Sequence, residues 1–216
     1  MDLAHAAAAG GAPAGSVFVA DVQTAGRGRS GRRWYSEPGA GVWATVVERP
    51  TDPAAIPVLS LRVGLALADA LDRFAPAPIA LKWPNDLVVG GRKLAGILVE
   101  ARWREGAPEW VAVGVGVNRL PPADFPEAVG LGPDVSRVDV LGAVVGAVRD
   151  AAARRGVLDA GELARYAARD AVRGRRVARP AAGRAAGIAA TGELLVRDDA
   201  GRAHLIPTAS VEYAAE

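Results

Sequence analysis

Of the 26 basic residues in this chain only two, Lys82 and Lys93, are lysines. Carboxamides are as scarce, with Gln23 the one glutamine and Asn85 and Asn118 the only asparagines. An ammonium and a two-faced amide do chemistry that a guanidinium cannot imitate. All five lie between positions 23 and 118, inside or beside segments that carry glycine or tryptophan. The first segment, Gly26-Arg27-Gly28-Arg29-Ser30-Gly31-Arg32-Arg33-Trp34, combines pliable backbone N–H groups with forked guanidinium donors, which suits phosphate or carboxylate. It lacks the Gly-Lys-Ser/Thr ending of a Walker A loop, nor does it open a helix as the dinucleotide fingerprint requires. Arg/Gly spacing alone fits a solvated loop or an RGG-like nucleic-acid segment as well; its place after a strand, in a near-neutral chain, favours a small anionic ligand.

In Lys82-Trp83-Pro84-Asn85-Asp86-Leu87, Pro84 keeps Trp83 extended and sets Asn85 and Asp86 at a turn. Such a pair either caps the turn backbone or, with Lys82, builds a polar site in which Asp86 ligates a magnesium-bound phosphate. Lys93 stands at the mouth of the apolar run Leu94–Glu100, where its ammonium can meet a carboxylate oxygen and a phosphate oxygen together. That would stabilise the charge that develops in acyl–phosphate chemistry; a strand-end lysine can equally be just solvated. Ala95 and Gly96 leave room for a ligand beside that strand. Gly114-Val115-Gly116-Val117-Asn118 alternates small and branched residues as if clearing a slot, although a bulge with a turn-forming asparagine reads the same.

Composition removes whole classes of chemistry. There is no cysteine, hence no thiolate nucleophile and no Cys-held zinc or iron–sulfur centre. His5 and His204 are the only histidines, which supplies a Ser-His-Asp triad poorly. The formal charge of +2, with a pI near 9.4, is a narrow surplus rather than a basic coat for nucleic acid. No apolar run reaches the ~20 residues a membrane helix needs, and residues 1–16 lack the basic start of a secretory signal. A cytoplasmic globular protein with no membrane partner is expected.

The elements that must position these residues follow from periodicity. Strands are expected at 16–21, 42–48, 79–83 and 109–117, with 87–89 and 94–103 paired through Gly90-Gly91. Apolar residues from Leu59 to Phe74 recur at helical spacing. Ser136 and Asp159, each followed three residues on by an acid, open helices to about Arg155 and Val172. After Gly174, short strands at 176–178, 193–197, 204–206 and 210–213 form a β unit too small to stand alone. The fold class is α+β, with a mixed, mainly antiparallel sheet, helices and a small β-barrel-like module.

In order and together, the four segments resemble those of biotin protein ligases, over about residues 1–213. The resemblance implies a class II aminoacyl-tRNA synthetase-like catalytic domain at 1–173 and an SH3-like domain at 174–216. It implies that biotin and ATP, with Mg2+ as counter-ion and no tightly bound cofactor, give biotinyl-5′-AMP and pyrophosphate. The acyl group then passes to one lysine of a biotin carboxyl carrier protein. By motif match Gln23, Gly26, Arg27, Gly28 and Arg29 contact biotin or its adenylate, Lys93 holds the biotin carboxylate and Gly96 lines the biotin pocket. Trp34, Lys82, Asn85 and Asn118 serve the nucleotide. Lys93, Arg29 and Asp86 form the catalytic set, with Asp86 facing the metal. Two departures are visible. Family members carry a Ser-Thr pair just upstream of the position of Met1, so a longer native start is expected; and Val22 replaces a more polar residue. The short lead-in before the first strand leaves no room for a helix-turn-helix, so a ligase without operator binding is expected. Monomer and homodimer stay open. The alternatives are a lipoate or octanoate ligase on the same fold, or a non-enzymatic nucleotide or nucleic-acid binder.

Overall fold

The computed structural model describes residues 1–122, 124–207 and 211–214. An alanine-rich helix, α1 (Asp2–Ala9), precedes the first strand, where periodicity suggested no element. Eight residues are too few for a stable free helix. What holds α1 is packing, with Ala4 and Ala8 buried against Val47 and Trp110.

Six strands follow in one sheet: β1 (Ser16–Ala20), β2 (Gly41–Glu48), β3 (Ala80–Lys82), β4 (Asp86–Val89), β5 (Arg92–Arg104) and β6 (Ala107–Asn118). Their spatial order is β1-β2-β6-β5-β4-β3. All neighbours run antiparallel, and among the described residues parallel pairing is limited to the single bridges Leu81–Asp170 and Lys93–Ala128. Gly90 and Gly91 both have positive φ, 56° and 77°, the conformation that a two-residue hairpin turn demands. One face of the sheet is covered by α2 (Leu59–Leu71) and α3 (Arg137–Ala152), which share a core with Val42, Ala44 and Val46 of β2. The alternate residues of β2, Trp43, Thr45 and Val47, face the other side, where α1 lies.

Register on β4 and β5 has one irregularity that matters. Leu87 pairs with Ala95 and Val88 with Lys93, so Leu94 is an extra residue, a β-bulge. Side chains normally alternate between faces. The bulge sends both Leu94 and Ala95 into the core and leaves Lys93 and Gly96 on the open face.

The helix signals placed α3 and α4 (Ala160–Arg169) correctly at their starts. Ser136 Oγ accepts from Asp139 N, and Asp159 with Glu162 forms a complete capping box. The last turns are shorter than the periodicity implied: α3 stops at Ala152, α4 at Arg169, and α2 passes into a 3-10 turn at Asp72–Phe74. The second sheet comprises β7 (Arg176–Arg179), β8 (Gly183–Ile188), β9 (Leu194–Arg197), β10 (Ala203–Ile206) and β11 (Glu212–Tyr213), in the order β10-β9-β8-β7-β11. β8 was not legible because GRAAGI has little strand character of its own. Of the strand expected at 210–213, Ser210 lies outside the described residues. The two sheets share one core, in which Val177, Leu194 and Val196 join Leu61 and Leu81. Trp83 is buried at the seam, its Nε1 donating to Gly192 O at 3.0 Å.

Candidate active site

The open face of the first sheet carries a cleft of about 420 Å³. Its floor is a row across three strands, with Trp43 of β2 opposite Gly116 of β6, and Gly116 opposite Gly96 of β5. Trp34 lies down on this row. A Cβ at Gly116 would stand 2.6 Å from the Trp34 ring and one at Gly96 3.0 Å, so both positions need glycine for the indole to seat.

The arginine segment that delivers Trp34 is not a helix start but a small folded-back flap. Trp34 N donates to Gly26 O at 2.9 Å and Gly28 N to Arg32 O at 2.7 Å, with Ser30 at φ 55° in the bend. Gly26 closes the base of this flap, where a Cβ would sit 2.3 Å from Trp34 O. Arg27, Gly28 and Arg29 face the cleft, as does Gln23, whose Oε1 accepts from Ser36 Oγ at 2.9 Å. Burial, reinforced by the nearby charge of Arg32, lowers the Arg29 guanidinium from its usual value while Asp86 pulls it back. It stays cationic, and its Nη1 lies 3.4 Å from Asn85 Oδ1.

On the opposite wall, Lys93 Nζ lies 2.7 Å from Asp86 Oδ1 and 5.2 Å from the Trp34 ring centroid. Asp86 Oδ1 is buried and makes no aligned hydrogen bond beyond this charge contact. Two asparagines brace the lysine's strand from either side. Asn85 Nδ2 donates to Ile97 O at 2.8 Å and Asn118 Nδ2 to Lys93 O at 3.3 Å. Lys93 also pairs through its backbone with the 119–135 loop, its N donating to Glu127 O at 2.7 Å. Lys82, at the end of β3, completes that wall.

The cleft therefore gathers Gln23, Arg27, Gly28 and Arg29 on one side and Lys82, Asn85, Asp86, Lys93 and Gly96 on the other, with Asn118 beneath. Trp34, expected beside a nucleotide, lies over Gly116 and over Gly96, which was expected to line the biotin pocket. Sequence reasoning missed Ser36, Thr45 and the Tyr35–Phe125 ring pair, whose centroids are 4.5 Å apart at the rim. Phe125 is the only aromatic in the 119–135 loop, a signal that could have singled it out. It missed α1 as well, which brings Met1 and Asp2 to the cleft edge. Two cationic groups on facing walls can draw a carboxylate and a phosphate together against their mutual repulsion.

Residues 8–118, just over half of the chain, match the biotin/lipoate A/B protein ligase family. The chain belongs to this family. Among its relatives is a bifunctional ligase/repressor BirA of Bacillus subtilis, 40% identical over 126 residues, which are 57% of this chain and 39% of that protein. The biotin–[acetyl-CoA-carboxylase] ligase of Mycobacterium tuberculosis is 40% identical over 153 residues, 63% of this chain and 54% of that one. The matched segment thus spans about two fifths to just over half the length of these ligase relatives. Among solved structures, the biotin protein ligase of Aquifex aeolicus in complex with biotin and ATP superposes with a TM-score of 0.75 at 24% identity, covering 94% of this chain and 91% of that chain. The Leishmania major biotin protein ligase in complex with biotinyl-5-AMP gives 0.65 at 23%, covering 95% and 93%. The ligase-family fold extends beyond the matched segment, over both sheets. Among the described residues no helix is long and apolar enough to cross a membrane.

Proposed function

We propose that this chain is an ATP-dependent biotin–protein ligase of the cytoplasm that makes biotinyl-5′-AMP and passes the biotinyl group to a lysine of a biotin carboxyl carrier protein. The observation that carries the reading is the seat of Lys93: its ammonium stands where the glycine slot, the arginine flap and Asp86 converge. The ligase names of both sequence relatives support it. Residues 1–173 carry the chemistry, and residues 174–216 form the SH3-like unit.

Lys93 draws the biotin carboxylate toward the α-phosphate, and Arg29 neutralises charge on the same oxygens from the opposite wall. The carboxylate oxygen attacks the α-phosphorus, the bond to the β-phosphate breaks, and pyrophosphate leaves. Gln23, Arg27, Gly28 and Gly96, with Gly26 closing the base of the flap, hold biotin and its adenylate, and Lys82, Asn85 and Asn118 serve the nucleotide side. Trp34 closes over the slot and, beside Arg29, keeps water from the mixed anhydride. The carrier's lysine amine then attacks the acyl carbon and AMP departs, with no enzyme nucleophile required.

Magnesium fits this wall as an ion held mainly by phosphates and water. Among the described residues no three carboxylate or imidazole groups form a cage, but Asp86 offers one part-buried carboxylate on the cleft wall, its Oδ1 balanced at present by the Lys93 ammonium at 2.7 Å. Bound there through Asp86, magnesium would offset the negative charge of the phosphates.

Biotin-dependent exchange of pyrophosphate into ATP, together with a biotinyl mass gain on a carrier domain, is the expected result. Exchange driven by lipoate or octanoate in place of biotin, or salt-sensitive retention on DNA without exchange, overturns the reading.

A further inference from the structure

The most defined polar chain outside the catalytic wall starts on a residue that the chemistry above does not use. His5 is on α1, and its Nδ1 lies 3.0 Å from Trp110 Nε1. An indole nitrogen only donates. Nδ1 must therefore be the bare nitrogen, and the proton of the neutral ring sits on Nε2. Nε2 lies 2.9 Å from Glu100 Oε2, so it donates to that carboxylate. The same carboxylate oxygen lies 3.5 Å from Arg27 Nη2, and Asp2 Oδ1 meets that nitrogen at 2.7 Å.

The two hydrogen bonds each have one permitted direction, Trp110 to His5 and His5 to Glu100, while Arg27 meets Glu100 as an ion pair. The donors come from α1, β6 and the arginine flap, and all converge through one carboxylate on β5. Trp110 is 6% exposed and is packed with Ala4 and Ala8, so the origin of the chain is rigid. Glu100 and His5 are part-buried, at 35% and 27% side-chain exposure, where an ion pair is less screened than at the surface. Asp2 makes the shorter contact with Arg27 but is 81% exposed, so solvent screens that pair more than the one to Glu100, although Arg27 itself is 46% exposed in both. Glu100 and Asp2 share one guanidinium nitrogen of Arg27, and of the two carboxylates Glu100 is the one held in place by a further hydrogen-bonded chain.

We infer that Glu100, oriented by His5 and Trp110, is a positioning residue that sets Arg27, and with it the arginine flap, for binding biotin or its adenylate. This rests on the proposed ligase reading. Glu100 and His5 touch no substrate. They act by reducing the conformational freedom that Arg27 must otherwise lose when the anion arrives.

Two measurements separate this inference from the reading beneath it. The first needs no substrate: timed trypsin cleavage after Arg27 and Arg29 in the full chain, read by mass spectrometry. Glu100→Gln and His5→Phe should each raise the initial nicking rate there at least three-fold, with global melting unchanged within about a degree. His5→Gln, which keeps an acceptor and a donor at similar reach, should restore the native rate. The second is pyrophosphate exchange with biotin and ATP. Glu100→Gln and His5→Phe should raise KM for biotin about ten-fold with kcat within two-fold, and His5→Gln should rescue KM. Combining Arg27→Ala with Glu100→Gln should cost no more than Arg27→Ala alone. Native nicking and native KM in both variants overturn the inference while leaving the ligase reading intact. Absence of exchange in the unmutated protein overturns the ligase reading while the nicking test still decides the latch. A fall in kcat that His5→Gln does not rescue would also overturn it, as it would show general damage.

Discussion

At the residue scale the site depends on where one ammonium points. Lys93 is half-exposed and packs little, so its removal should scarcely alter stability. Lys93→Ala is expected to slow adenylate formation by about 10²–10³-fold, the loss typical of one preorganised electrostatic donor. Single-turnover formation of biotinyl-5′-AMP, set beside the melting temperature, checks this; equal damage to both would refute the role. These residues were legible because they were rare. Two lysines among 26 basic residues and three carboxamides mark the walls of the cleft by residue type alone. What Lys93 faces was not legible, since the Leu94 bulge depends on the partner strand and leaves no mark in composition. Trp34 was similarly visible as a residue, but the glycines its ring lies against were not. Only the register of Gly96 against Gly116 shows which surface its ring can reach.

At the element scale, the helical layer behind the sheet is tied together by buried and half-buried ion pairs. Arg62 of α2 and Glu162 of α4 are 3% and 2% exposed and meet at 2.9 Å, and Arg62 also donates to the carbonyls of Arg155, Gly156 and Val157. Removing one partner leaves the other charged in a dry site. Glu162→Ala should cost about 3–5 kcal/mol in urea unfolding. Asp72 supplies a pH signature. Burial acts to raise its carboxyl, but the Arg169 hydrogen bond and the Ile79 N–H outweigh it and hold the group below its ordinary value. A carboxyl depressed in the folded state stabilises above its unfolded value, near 4, and loses that contribution as pH falls through the lower folded value. The stability gap between wild type and Asp72→Asn should therefore be constant from pH 7 to 5 and shrink below about 4, as unfolding midpoints across that range will show. Helix starts were readable here because capping is local chemistry. Helix ends, α1 and β8 were not, because packing against distant chain decides them.

At the scale of the whole molecule the two sheets are one body. Val177, Leu194 and Val196 belong to the same apolar core as Leu81 and Leu61. The Trp83 indole donating to Gly192 O adds a directional tie at the seam. Heating should therefore give one cooperative transition reported alike by both sheets. Trp83→Phe, which leaves that carbonyl without its donor, should lower stability by about 1–3 kcal/mol. Amide exchange in β8 and β9 should accelerate first, and a second, separate transition in the unmutated protein would contradict the shared core. The same tryptophan sits one residue after Lys82 and two before Asn85, both of which face the cleft. A nucleotide that stiffens this turn would also tighten the grip on Gly192. Because such linkage is reciprocal, loosening the far sheet would weaken the nucleotide by the same factor, and a surface that never meets the ligand would help set its affinity.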